Sequence, residues 1–242
     1  MSPPSAPPAP PPPYYAPYAP PPDYPAFQPY PYRPPRRRTP NIGAREHDGF
    51  FLRFNAGVGA GSAYYRERIT SGGPVSHIKT RGVAGSFQVA IGGSVFDNLI
   101  LHGNMAVTVV SANKEVDGIK DTSDDELSTT MWLFGGGATY YFMPTNIYLT
   151  LVLGASALTE RRREKVLVNG TIEHGPTTYV DSGAGFGSSL TLGKEWWVGG
   201  RGEWGIGAAL TGAFYATPLQ ISGVSSTFLA QSVSLCFSST LN

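Results

Sequence analysis

The chain has 242 residues, a formal net charge of +1 and 14% charged residues, where soluble domains carry about 25%. So neutral a chain lacks the global field that marks nucleic-acid binders. Its single cysteine, Cys236, excludes an internal disulfide framework and any CxxC metal site. No apolar run reaches the roughly 18 residues of a membrane-spanning helix.

Residues 1–40 hold 18 of the 22 prolines, interleaved with Tyr14, Tyr15, Tyr18, Tyr24, Tyr30 and Tyr32. Proline cannot donate to a ladder, so a disordered or polyproline-like arm is expected over 1–47. It ends in the basic cluster Arg33 and Arg36 to Arg38, which suits peptidoglycan, anionic head groups or a periplasmic partner; the simpler reading is a solvated spacer. Met1 leads straight into this arm with no apolar segment of the secretory-signal kind.

A folded part is expected over 48–238, with 239–242 as a tail. Segments of about ten residues there alternate large apolar with glycine or small polar residues, a period of two that only a sheet produces. Strand one, Phe50–Tyr65, sets Phe50, Leu52, Phe54 and Val58 against Arg53, Asn55, Gly57 and Gly59. Strand two, about 82–95, sets Val83, Phe87 and Ile91 against Ser86 and Gln88. Strand three, after an Asp97-Asn98 turn, sets Leu101, Met105 and Val107 against His102, Asn104 and Thr108. Strand four carries Trp132, Phe134 and Tyr140 on one face, and strand five Leu149, Leu151 and Leu153. Strand six sets Val180, Phe186 and Leu190 against Asp181, Gly183 and Gly185. After a turn at Lys194-Glu195, strand seven sets Trp196, Trp204 and Leu210 against Arg201 and Glu203. Strand eight shows Leu229, Val233, Leu235 and Phe237.

Three connections read as short, near 96–98, 143–146 and 193–195. Four read as long, near 66–81, 111–128, 158–177 and 216–226, and these hold most of the charge. The alternation places all long loops on one side of a closed sheet. Aromatics gather near the short turns (Phe96, Tyr141, Phe142, Tyr148, Trp196, Trp197) and near the long loops (Tyr64, Tyr65, Trp132, Tyr179, Tyr215), as two interfacial belts would require. In the third loop Asn169-Gly170 sits between β-branched flanks, a hairpin signal that carries strands five and six onward.

The Gly-rich run Asn55-Ala56-Gly57-Val58-Gly59 and the hairpins Ala138–Tyr148 and Leu192–Trp197 resemble the small eight-stranded outer-membrane barrels of the OmpA, OmpX and OmpW type. The likeness covers about 49–238. It implies an outer-membrane protein with a periplasmic N-terminus, in families that include adhesion and envelope-stability proteins, narrow pores and a few lipid-modifying enzymes.

Motifs for chemistry are sparse. Gly200-Arg201-Gly202-Glu203-Trp204-Gly205 has dinucleotide spacing, but no acid follows Glu203 and no βαβ unit surrounds it, so it reads as strand glycines. His47, His77, His102 and His174 show no metal-ligand spacing. The loop Lys114–Glu126 carries six acids and two lysines without a calcium-loop pattern, and Arg161 to Arg163 suit lipid phosphates. The inward polar set is Arg53, Asn55, Gln88, His102, Asn104, Asp181, Arg201 and Glu203. Charges inside a narrow barrel must pair or hydrate, so this set reads as a plug or as the lining of a narrow pore.

The expected fold is all-β: an eight-stranded antiparallel up-and-down transmembrane barrel behind a disordered Pro-rich arm. The expected function is a structural or surface-interaction role in the outer membrane, without catalysis, cofactor or metal. The expected partners are outer-membrane lipid and lipopolysaccharide, not nucleic acid, and the expected state is monomeric. The alternatives are a narrow conduit and a soluble ligand-binding barrel of the lipocalin kind, which would place its apolar residues inside.

Overall fold

The computed structural model describes residues 47, 49–68, 73–120, 126–168, 171–198, 204–221 and 224–241. The strands are β1 (Phe50–Arg68), β2 (Val75–Phe96), β3 (Leu99–Val116), β4 (Ile119–Lys120), β5 (Glu126–Phe142), β6 (Ile147–Val168), β7 (Thr171–Asp181), β8 (Gly185–Val198), β9 (Trp204–Ile221) and β10 (Val224–Leu241). Every pairing is antiparallel. Eight strands run β1-β2-β3-β5-β6-β8-β9-β10, and β10 returns to β1 from Leu52↔Leu241 to Tyr64↔Leu229. The sheet is therefore a closed up-and-down barrel. The short β4 pairs with β3, and β7 pairs with β6 beyond the ring.

The register sets the barrel's shape. Directly paired residues followed once round run Ile91, Gly103, Gly136, Leu153, Ser188, Phe214, Gln231 and Ser62, then meet β2 again at Arg81, ten positions from the start. With 3.3 Å per residue and 4.8 Å between strands, that stagger over eight strands tilts them about 41°.

The two faces divide by chemistry. Val58, Val83, Ile91, Leu151, Leu190, Leu210 and Leu235 all point outward and are exposed, from 47% for Leu151 to 71% for Val83. A continuous apolar outer wall is what lipid demands of a spanning sheet, and this is a membrane barrel. The lipocalin alternative falls on the same observation, because its outer surface would have to be polar.

Several boundaries differ from the sequence reading. The strands run well past the apolar band, so most of the four long loops is strand: β1 and β2 reach Arg68 and Val75, and β3 folds over Asp117-Gly118 into β4. Both turn residues have positive φ, 49° and 84°, the two-residue geometry that matches strand twist. Above the lipid band a strand can show charge on its outer face and remain paired, so apolar alternation stops before the strand does. The turn expected at Lys194-Glu195 instead lies inside β8, which continues to Val198. The tail also belongs to the barrel, since Ser239, Thr240 and Leu241 pair with Phe54, Arg53 and Leu52. Residues 1–46 lie outside the described residues, but His47 is buried, with its ring stacked 3.5 Å from that of Tyr141. The barrel thus begins before Asp48.

One face assignment reverses. Between Ser156↔Gly185 and Thr159↔Asp181, β6 advances three residues while the opposing chain advances four. The extra residue lies in the break at 182–184 and exchanges inside for outside. Val180 consequently packs against the interior cluster and Asp181 faces out, exposed. Asp181 is not a lumen residue.

Candidate functional site

The lumen is closed in two chemically different ways. At the short-turn end, Arg53 of β1 is 2% exposed and donates from Nη2 to Thr139 Oγ1 (2.8 Å) and Thr150 Oγ1 (2.7 Å). Its Nη1 stands 3.9 Å from Glu195 Oε1, an ion pair held by charge rather than by a hydrogen bond. Glu195 in turn accepts from Tyr141 Oη (2.9 Å) and Thr240 Oγ1 (2.6 Å). The guanidinium lies 4.3 Å from the centre of the Tyr148 ring, a cation–π contact. His102 Nε2 shares Thr139 at 3.0 Å.

Glycines make this packing possible. A Cβ on Gly193 would come within 2.4 Å of the Tyr148 ring, and one on Gly137 within 2.5 Å of His102 Cε1. The inward glycines therefore accommodate rings rather than leave the bore empty.

The opposite half of the lumen is apolar. Ile78, Val110, Met131, Leu133, Leu158 and Phe228 form a buried cluster with Tyr65 and Tyr215. Above it, Arg162 Nη1 and Nη2 fork onto Glu67 (3.1 and 2.8 Å), Nε donates to Glu160 (2.7 Å), and Tyr65 Oη donates to the same Glu160 oxygen (2.8 Å). Planar bidentate pairing of this kind holds an arginine in one orientation.

Between the two lies an enclosed space lined by Asn55, Gln88, Thr108, Ser189, Ser234 and Cys236, with about 20 Å³ open to the centre of a water-sized sphere. That is room for about one water. Asn55 Nδ2 donates to Gln88 Oε1 (3.0 Å) across its wall.

The structure places the expected polar set as follows. Arg53, Asn55, Gln88, His102 and Asn104 are buried inside the barrel. Arg53 and His102 meet at Thr139, and Asn55 meets Gln88, while Asn104 has no side-chain partner among the described residues. Asp181 faces out, and Arg201 and Glu203 lie outside the described residues. The acid that faces Arg53 is Glu195, which the sequence reading spent on a turn. Strand parity would have found it, because Trp196 and Val198 outward require Glu195 inward. Parity also moves five belt aromatics indoors: Tyr65, Tyr141, Tyr148 and Tyr215 are fully buried and Trp197 lies 5.1 Å from the buried His47 ring, whereas Tyr64, Phe96, Tyr179 and Trp196 stay on the outer wall. Arg161 is exposed on that wall and Arg162 points in.

On the hairpin side, Asp117 Oδ1 accepts the His77 N–H at 2.8 Å. That bond, with one from Ser76, holds its carboxyl below the usual range.

No protein-family model matches the chain, and no curated protein does. Solved structures are similar to it. The outer membrane protease OmpT from Escherichia coli is 8% identical at a TM-score of 0.49, over 80% of this chain and 96% of that one. Neisserial surface protein A is 12% identical at 0.34, over 79% and 96%. Ail, the attachment invasion locus protein of Yersinia pestis, is 12% identical at 0.32, over 76% and 97%.

Proposed function

We propose that the protein is a closed barrel of the outer membrane that serves envelope structure and surface contact rather than transport. The N-terminal arm and the short turns face the periplasm, the long-strand end faces outward, and the barrel works as a monomer without catalysis. The observation that carries this reading is the filling of the lumen. An ionic network occupies one end and a packed apolar cluster the other half, and water needs a continuous polar path to pass.

The surface that remains for contact is the raised strand end. There β6 and β7 continue as a two-stranded ribbon from Thr159↔Asp181 to Val168↔Thr171, and among the described residues the far edge of β7 pairs with no strand. An open edge of this kind recruits an extended partner segment. The arm adds a second contact, to peptidoglycan or a periplasmic protein.

Two measurements test the proposal. Purified protein in a planar bilayer should show no steady conductance; ion flow through the unaltered barrel would favour the narrow-conduit reading, for which the small polar chamber speaks. Deleting 164–176 should abolish adhesion of expressing cells to a surface they otherwise bind. Unchanged adhesion would sink the contact role.

A further inference from the structure

We propose that the outer wall carries a seat for one phosphorylated, multi-acyl lipid of the outward leaflet, with Arg81 and Lys79 as its head-group cations. The inference rests on the membrane-barrel reading and assigns it a specific ligand class.

A groove of about 740 Å³ crosses the outer face from Lys79 and Arg81 on β2, over β1, β10, β9 and β8, to Leu151 on β6. Its floor is low because Ala60, Gly212 and Ser188 are small where Phe214, Val233 and Leu190 stand beside them. Gly212 is open outward, and a Cβ there would meet nothing within 4 Å.

The register explains the groove's direction. Arg81, Ser62, Gln231, Phe214 and Ser188 are directly paired in sequence across the sheet. Such a row runs perpendicular to strands tilted about 41°, so it climbs across the membrane. Five strand spacings make it about 24 Å long, with a rise of about 16 Å. One leaflet contributes about half of a ~30 Å hydrocarbon core. The groove therefore runs from the mid-plane at Leu151 to the polar rim at Arg81, the path of an acyl chain hanging from its head group.

The two ends differ in chemistry accordingly. At the rim Arg81 and Lys79 point outward beside Arg66, and the one acid paired across from them is Glu115, opposite Lys79. Among the described residues neither Arg81 nor Lys79 enters an ion pair. A local surplus of cations at the lipid boundary calls for a net anionic head group, and a guanidinium favours phosphate. Just below, Gln231 donates to Ser62 Oγ at 3.4 Å, both on the outer face. Polar side chains in an otherwise apolar wall need acceptors from lipid, which the ester and amide carbonyls next to a head group provide.

The experiment uses the full chain, refolded into detergent, stripped of lipid and offered diphosphorylated lipid A, dephosphorylated lipid A or phosphatidylethanolamine, with bound lipid counted by native mass spectrometry. The wild type should retain one diphosphorylated lipid A and neither of the other two. The double variant Arg81→Ala/Lys79→Ala should lose about tenfold in retention, the equivalent of one charge-assisted hydrogen bond. Gly212→Leu, which fills the groove and leaves the cations, should lose a comparable amount. Arg161→Ala, outside the groove, should retain the lipid. Equal retention of the dephosphorylated lipid, or wild-type retention by either groove variant, overturns the proposal. A wild type that shows no heat-dependent shift in SDS gels and partitions with soluble protein overturns the membrane reading itself, a result distinct from a shifting barrel that holds no lipid.

Discussion

The two halves of the lumen solve one problem, filling a narrow bore, with opposite chemistries. At the short-turn end a buried guanidinium must find a counter-charge and hydrogen-bond acceptors from four other strands: Thr139, Thr150, Tyr148, Glu195 and, through Glu195, Thr240. In the hairpin half Met131, Leu133 and Leu158 only need to fit. A polar plug is specified pair by pair and fails when one member is lost. An apolar plug is specified by volume and degrades gradually.

That contrast is open to direct attack. Glu195→Ala strands Arg53 without its counter-charge and should cost about 4 kcal/mol, read by urea unfolding in vesicles with the gel shift as signal. Glu195→Gln keeps the acceptor for Tyr141 and should cost visibly less; equal losses would mean that packing, not charge, governs that end. Leu133→Ala should cost about 3 kcal/mol by leaving a cavity, and Leu133→Met should be close to neutral. Arg162→Ala, at the half-exposed rim, should cost about 2 kcal/mol by leaving Glu160 under-satisfied. Conductance sharpens the comparison further. Arg53→Ala/Glu195→Ala should stay silent because the apolar half still seals the bore, and current should appear only when Leu133→Gly and Met131→Gly are added. Current from the first pair alone would place the whole seal at the ionic end.

The smallest effect belongs to the Asp117 turn. Its carboxyl is held below its ordinary value, so the stability it lends is complete above about pH 3.9 and fades as acid carries the pH through the lowered pKa. Asp117→Asn should flatten that acid limb and lower the midpoint slightly at pH 7, where the carboxylate's contribution is complete, while leaving stability below the lowered pKa nearly unchanged.

Much of the architecture was legible in residue order alone. Period-two alternation needs only local information, because successive side chains of any strand point to opposite faces. That is why Val58, Phe87, Leu151 and Leu235 could be assigned to the outer wall and Arg53, Asn55, Gln88 and His102 to the interior from sequence. The Asp97-Asn98 turn was legible for the same reason, Asn98 taking a φ of 65°.

Two kinds of information were not local. Strand ends depend on pairing rather than on apolarity, so Glu67 and Arg162, charged and beyond the lipid band, read as loop in the sequence although their strands continue. Parity depends on an unbroken count. One extra residue at 182–184 turned Asp181 outward, and a misplaced turn at Lys194-Glu195 hid the partner of Arg53.

Residue order is enough to close this chain into an antiparallel barrel with an apolar outside, since lipid allows a paired sheet no other form. What fills the bore, and where a groove climbs the wall, follow from the three-dimensional register. Those depend on a stagger of ten residues, and stagger brings together side chains such as Arg53 and Glu195, or Arg81 and Gln231, whose proximity no stretch of sequence records.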